Sequence, residues 1–152
     1  MNELKPGEVI NDFTLYDQNL NEVHLHNLKG KKILLAFHPL AWTRGCAKHM
    51  QLLEDNFERF QATNAVALGI SIDSVHSKKA WARDLGVENT LFLADFWPHG
   101  QVARMYGMFD EDMGVSERAS IVVDENMKIR FVKVYETRSL PDIEEIFDAF
   151  KD

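Results

Sequence analysis

The sequence has 152 residues, of which 45% are hydrophobic and 27% charged, and its net charge is −7. That size and balance fit one soluble globular domain over residues 1–152, and the acidic excess excludes a nucleic-acid partner, which needs clustered Lys and Arg against phosphate. No run approaches the roughly 18 apolar residues of a membrane span, and the start Met1-Asn2-Glu3-Leu4-Lys5 has no signal-peptide core, so a cytoplasmic protein with no membrane partner is expected.

The first elements form a predicted hairpin. Residues Phe13 to Tyr16 and Val23 to His26 alternate around the polar turn Asp17-Gln18-Asn19. Lys32 to Phe37, Ala65 to Ser71 and Ala119 to Val123 are nearly continuous apolar runs, as central strands covered on both faces should be. Leu91 to Ala94 is a shorter strand, and Ile129 to Tyr135 a further β-rich one. Between them, Cys46, Met50, Leu53, Phe57 and Phe60 make one apolar helical stripe. Ser74 is placed to cap a helix that runs through Trp81 to Leu85 and closes at Gly86. Gln101 to Tyr106 suits a short helix, and the acidic run Asp110-Glu111-Asp112 a solvated loop. Ser139 is expected to cap a last helix, with Pro141 in its first turn and Ile143, Ile146, Phe147 and Phe150 facing the sheet. Alternating strands and helices predict an α/β class with a central mixed sheet flanked by helices.

The chain has one cysteine. Cys46 follows a buried strand, a proline and a short loop, at the point where helical periodicity starts. A thiol in the first turn of a helix meets unpaired backbone N–H groups and the positive end of the dipole, and Arg44 adds positive charge nearby. Such surroundings favour thiolate over thiol, and the thiolate is the nucleophile. A lone cysteine inside a strand would instead read as an inert small hydrophobe. With no second cysteine there is no internal disulfide, which suits a reducing compartment.

Pro39, Thr43 and Cys46 stand as P-x-x-x-T-x-x-C, which resembles the active-site signature of the peroxiredoxins, the AhpC/TSA family. The likeness extends along the chain. Pro6-Gly7-Glu8, Asp12-Phe13-Thr14-Leu15 and Leu28-Lys29-Gly30-Lys31 are similar to the family's N-terminal hairpin region. Gly69-Ile70-Ser71-Ile72-Asp73-Ser74, Phe92-Leu93-Ala94-Asp95, Tyr106-Gly107 and Arg118-Ala119-Ser120-Ile121 resemble its later landmarks. The segment Pro39 to Cys46 is most similar to the one-cysteine alkyl hydroperoxidase E type, with Trp42 where that group tends to carry Phe. Many relatives place a Glu three residues after the cysteine, where this chain has His49.

The resemblance implies a thioredoxin-like fold with an N-terminal β-hairpin and a peroxidase that acts on hydrogen peroxide or alkyl hydroperoxides without a cofactor. Cys46 would attack the O–O bond and become a sulfenic acid. The resemblance gives Thr43 a hydroxyl that hydrogen-bonds sulfur and peroxide, and Arg118 a guanidinium that favours the thiolate and donates to the oxygens. The backbone N–H groups of Gly45 and Cys46 complete the cradle, and Pro39 shields the sulfur. Trp42 and His49 are expected at the substrate. His49 would act either as an imidazolium favouring the thiolate or as a neutral ring protonating the leaving oxygen, against the plainer reading of a space-filling histidine. His38 is read as a packing residue, and Trp42, Trp81 and Trp97 as core or interface aromatics.

Without a resolving cysteine, turnover calls for an external thiol: a thioredoxin- or glutaredoxin-like protein, or a low-molecular-weight thiol. A homodimer is expected by analogy. His24 and His26 on one strand face make too weak a case for a metal site. The competing reading is a peroxide sensor or relay that passes oxidation from Cys46 to a partner protein.

Overall fold

The computed structural model describes residues 4–152, and Met1-Asn2-Glu3 lie outside them. A seven-stranded sheet in the order β2-β1-β5-β4-β3-β8-β9 organises the molecule. Its strands are β1 (Thr14–Asp17), β2 (Glu22–His24), β3 (Lys32–Phe37), β4 (Ala65–Ser71), β5 (Leu91–Ala94), β8 (Arg118–Val123) and β9 (Ile129–Tyr135). Strands β3, β4 and β5 are parallel, and the remaining pairings are antiparallel, so the sheet is mixed.

Alternation along β3 divides the core in two. Ile33, Leu35 and Phe37 face one layer with Phe13, Tyr106 and helix α4 (Gln101–Met105). Leu34 and Ala36 face the other, against α1 (Arg44–Asp55), α2 (Phe57–Ala62), α3 (Val75–Leu85) and α5 (Ile143–Phe150). Central strands covered on both faces have no solvent-side positions, which explains the continuous apolar runs. Among the described residues no helix is long and apolar enough to cross a membrane.

Four boundaries differ from expectation. The hairpin's second strand ends at His24, and Leu25–Leu28 form a 3₁₀ turn. His24 therefore bonds Thr14 across the hairpin, while His26 bonds the Ile10 carbonyl, and the two rings do not share a face. The stripe from Cys46 to Phe60 is two helices, broken at Asn56. The Asn56 side chain donates to the Leu52 carbonyl at 2.8 Å and its N–H to Leu53 at 3.2 Å, the local competition that makes Asn a poor interior residue.

The last helix is capped by Asp142, which accepts from Glu144 N–H at 2.9 Å, rather than by Ser139. Asp110 lies in a small hairpin, β6 (Phe109–Asp110) with β7 (Val115–Ser116), not in a bare loop. Helix α3 keeps its expected ends: Ser74 Oγ accepts from Ser77 N–H, and Gly86 closes it at φ 72°.

Candidate active site

The C-terminal edge of β3 delivers the site. After Phe37 the chain turns through Pro39 and enters α1 at Arg44, with Thr43 at the N-cap in extended conformation. Two partners pin this loop. Asp73, just after β4, accepts from Ala41 N–H at 2.8 Å and from Ser71 Oγ at 2.7 Å, and Ser116 on β7 donates to the His38 carbonyl at 2.9 Å. Trp42 takes φ 70°, a left-handed conformation costly for a large side chain and held here by the surrounding bonds.

The first bond within α1 runs from Ala47 N–H to Thr43 carbonyl, and no side chain caps the helix, so the N–H groups of Arg44, Gly45 and Cys46 have no intrahelical acceptor. Cys46 is 1% exposed and lines a cavity of about 420 Å³. Pro39, Leu40, Thr43, Gly45 and Arg118 line that cavity with it.

Arg118, the first residue of β8, is 2% exposed. Each nitrogen of its guanidinium has a different acceptor. Nε donates to the Thr137 carbonyl at 3.2 Å, Nη1 to His49 Nδ1 at 2.8 Å and Nη2 to Cys46 Sγ at 3.4 Å. No carboxylate pairs with it among the described residues. A buried guanidinium needs a compensating negative charge. Of its three partners, only the sulfur can carry one. Gly45 makes room for this contact, since a Cβ there would stand 3.3 Å from Arg118 Nη2.

Thr43 lines the cavity together with Cys46, but its hydroxyl donates to the Leu40 carbonyl at 2.7 Å. Its proton is committed there, and what it turns toward a ligand is an acceptor, not a donor. Two of the residues expected at the substrate lie off the cavity. Trp42 is 53% exposed and donates through Nε1 to Ser77 Oγ at 3.1 Å, because the left-handed turn swings its ring toward α3.

His49 is buried behind Arg118, one helical turn inside Cys46. Arg118 Nη1 donates to His49 Nδ1, and burial with the adjacent guanidinium pushes the ring's pKa down to about 3; both favour the neutral ring, with Nδ1 as acceptor, over the imidazolium. Of the three tryptophans only Trp81 is in the core; Trp97 is 81% exposed.

The sequence reading missed Lys78. It is fully buried on α3, and Nζ has three partners: Leu93 carbonyl at 3.0 Å, Gly69 carbonyl at 3.3 Å and His38 Nε2 at 3.2 Å. Burial lowers its pKa to about 7, against the charges of Asp73, Cys46 and Asp95, which favour the ammonium. His38 packs on Trp81 with ring centroids 5.4 Å apart, as a packing residue should, but its Nδ1 has no partner.

The chain is similar to known proteins along most of its length. The AhpC/TSA family pattern matches residues 6–132. Alkyl hydroperoxide reductase E of Mycobacterium tuberculosis is 39% identical over 91% of this chain and 91% of its own. Peroxiredoxin 2 of Thermoplasma acidophilum is 33% identical over 95% of this chain and 74% of its own. Among solved structures, AhpC of Enterococcus faecalis superposes with a TM-score of 0.86 at 25% identity, covering 95% of this chain and 89% of that one. With its mixed sheet, its single cysteine and these relatives, the chain belongs to the AhpC/TSA family of peroxiredoxins, thiol-dependent peroxidases with a thioredoxin-like fold.

Proposed function

We propose that Cys46 is the peroxide-reactive thiol and that its oxidised form is reduced by an external thiol. The observation that carries this is the buried Arg118 guanidinium, which donates to Cys46 Sγ and has no carboxylate partner among the described residues. In the reaction the sulfur attacks the O–H-bearing oxygen. An S–O bond forms, the O–O bond breaks, and the electron pair leaves on the second oxygen, which takes a proton as water or alcohol. Sulfur loses two electrons and becomes a sulfenic acid.

Thr43 Oγ accepts the peroxide O–H and so orients it. Arg118 and the free N–H groups of Gly45 and Cys46 stabilise charge on the oxygens, work that fixed donors do better than water. Pro39 and Leu40 wall off the sulfur. His49 acts through Arg118, as a neutral acceptor that holds the guanidinium without neutralising it. The alkyl walls and the name of the mycobacterial relative favour alkyl hydroperoxides beside hydrogen peroxide.

One cysteine rules out a resolving disulfide within the chain, so a thioredoxin- or glutaredoxin-like protein or a small thiol completes the cycle, in a reducing cytoplasm. The test is peroxide consumption with a generic thiol in excess. Turnover over many equivalents, absent in Cys46→Ser, is expected. Loss of one equivalent followed by arrest would favour the relay reading.

Leu40, Trp42, Phe96 and Trp97 are exposed in the loops after β3 and β5, at the same edge of the parallel strands. Exposed aromatics grouped this way suit a homodimer contact. Sedimentation of the reduced protein should give a dimer, and a monomer across the micromolar range would end this reading.

A further inference from the structure

The cavity over Cys46 carries a charge pattern that a neutral peroxide does not use. Its lining includes four cations, Arg44, Lys48, Arg118 and Arg138, and no carboxylate, in a chain whose net charge is −7. Arg44 and Lys48 stand one helical turn apart on α1, and Arg138 reaches in from the segment between β9 and α5. All three are exposed. Elsewhere Arg59 pairs with Glu144, Arg104 with Glu111, Arg130 with Asp152 and Lys133 with Glu145, while cations without an ion pair among the described residues, such as Lys29, Lys79 and Lys128, stand apart and do not converge on a cavity with a nucleophile. Around the cavity, Arg44, Lys48 and Arg138 form no ion pair among the described residues. The helix N-terminus below them adds positive potential, and Leu40 and Leu140 supply the apolar rim.

Building on the peroxidase reading above, we propose that this mouth selects the reductant, and that the reductant is a small thiol bearing one or more carboxylates. Cys46 is 1% exposed and lines a cavity of about 420 Å³, so its sulfur is reached through that cavity, which a small molecule enters more readily than a folded domain. The first thiolate attacks the Cys46 sulfenic sulfur. An S–S bond forms, the S–O bond breaks, and hydroxide leaves and is protonated to water. A second thiolate attacks the small-molecule sulfur of that mixed disulfide, releasing Cys46 thiolate and the symmetric disulfide. Two thiols supply the two electrons that the peroxide removed. The four cations raise the local concentration of the anionic thiol in both steps, by an amount that salt diminishes.

The experiment uses wild-type protein oxidised with one equivalent of hydrogen peroxide, then mixed with 3-mercaptopropionate, 2-mercaptoethanol or cysteamine. Mass spectrometry follows the sulfenic acid and the mixed disulfide, and rates are expressed per thiolate. At low salt 3-mercaptopropionate should react about tenfold faster than 2-mercaptoethanol, with cysteamine slowest. High salt should compress this order, and so should Arg138→Glu, while R44E/K48E should invert it.

Equal rates per thiolate at low salt, or a spread that neither salt nor the variants alter, would overturn the proposal while leaving the peroxidase reading intact. Failure to form any sulfenic acid in the first step would remove both.

Discussion

Arg118→Met should slow the reaction of the reduced protein with hydrogen peroxide by about 10²–10³-fold, the loss typical of removing a preorganised donor from a developing oxyanion. Arg118→Lys should lose nearly as much. The lysine keeps a positive charge, but the native side chain reaches Thr137, His49 and Cys46 through three separate nitrogens. A single ammonium on a flexible stem cannot reproduce that fork. Second-order rate constants with peroxide in excess measure this, with circular dichroism to show that the fold is kept. A lysine variant within about threefold of wild type would mean that charge alone matters, and the geometric role given to Arg118 would be wrong. The neighbour matters too. With a neutral histidine at position 49, nothing beside Arg118 competes with the sulfur for its charge.

The second expected result concerns stability and pH. Lys78 titrates at about 7 in the folded protein because burial disfavours its ammonium, against an ordinary value of 10.5. Between those values the unfolded chain binds the proton and the folded one has released it. Protonation then favours unfolding, so this group makes stability rise with pH through the window. The rise should be on the order of a few kcal/mol from about pH 7 to pH 10.

Lys78→Met should lack it, so the difference between the two denaturation curves reports Lys78 together with the groups coupled to it. The groups facing Lys78 are His38 at the end of β3, Asp73 after β4, Asp95 after β5 and Cys46 on α1. Parallel curves for wild type and variant across that window would show that Lys78 is charged throughout. The same sign applies to His49 on the acid side. Its folded value of about 3 lies below the ordinary 6.5, so its contribution is lost as pH falls through that interval.

Much of the site was legible because it lies close in sequence or carries a family landmark. The strand–proline–loop–helix context pointed to Cys46, and Pro39, Thr43 and Arg118 came from the family resemblance. What failed did so for physical reasons. Trp42 follows the motif, yet a left-handed backbone turns its ring away from the cavity, and φ is not written in residue order. The spacing put His49 one helical turn after Cys46 but left its charge state open, because that depends on Arg118, 69 residues away.

Lys78 is one of two adjacent lysines, and residue type alone does not mark it as buried. A signal was there: Lys78, Trp81, Ala82 and Leu85 fall at i, i+3, i+4 and i+7, so the apolar stripe of α3 runs through the lysine. The break at Asn56 was hidden because an unbroken stripe and two consecutive helices give the same spacing. The cationic mouth had a half-signal in the i, i+4 pair Arg44 and Lys48; Arg138 joins it only through the tertiary fold.

The central claim is that Cys46 is an activated, peroxide-reactive thiol, and stopped-flow mixing of the reduced protein with hydrogen peroxide tests it most directly. Trp42, in the loop that leads into α1, and Trp81 beneath it offer fluorescence signals, and Cys46→Ser is the control. A single phase orders of magnitude faster than the reaction of free cysteine, absent in the serine variant, is the predicted result. Wild-type protein reacting no faster than free cysteine would contradict the account.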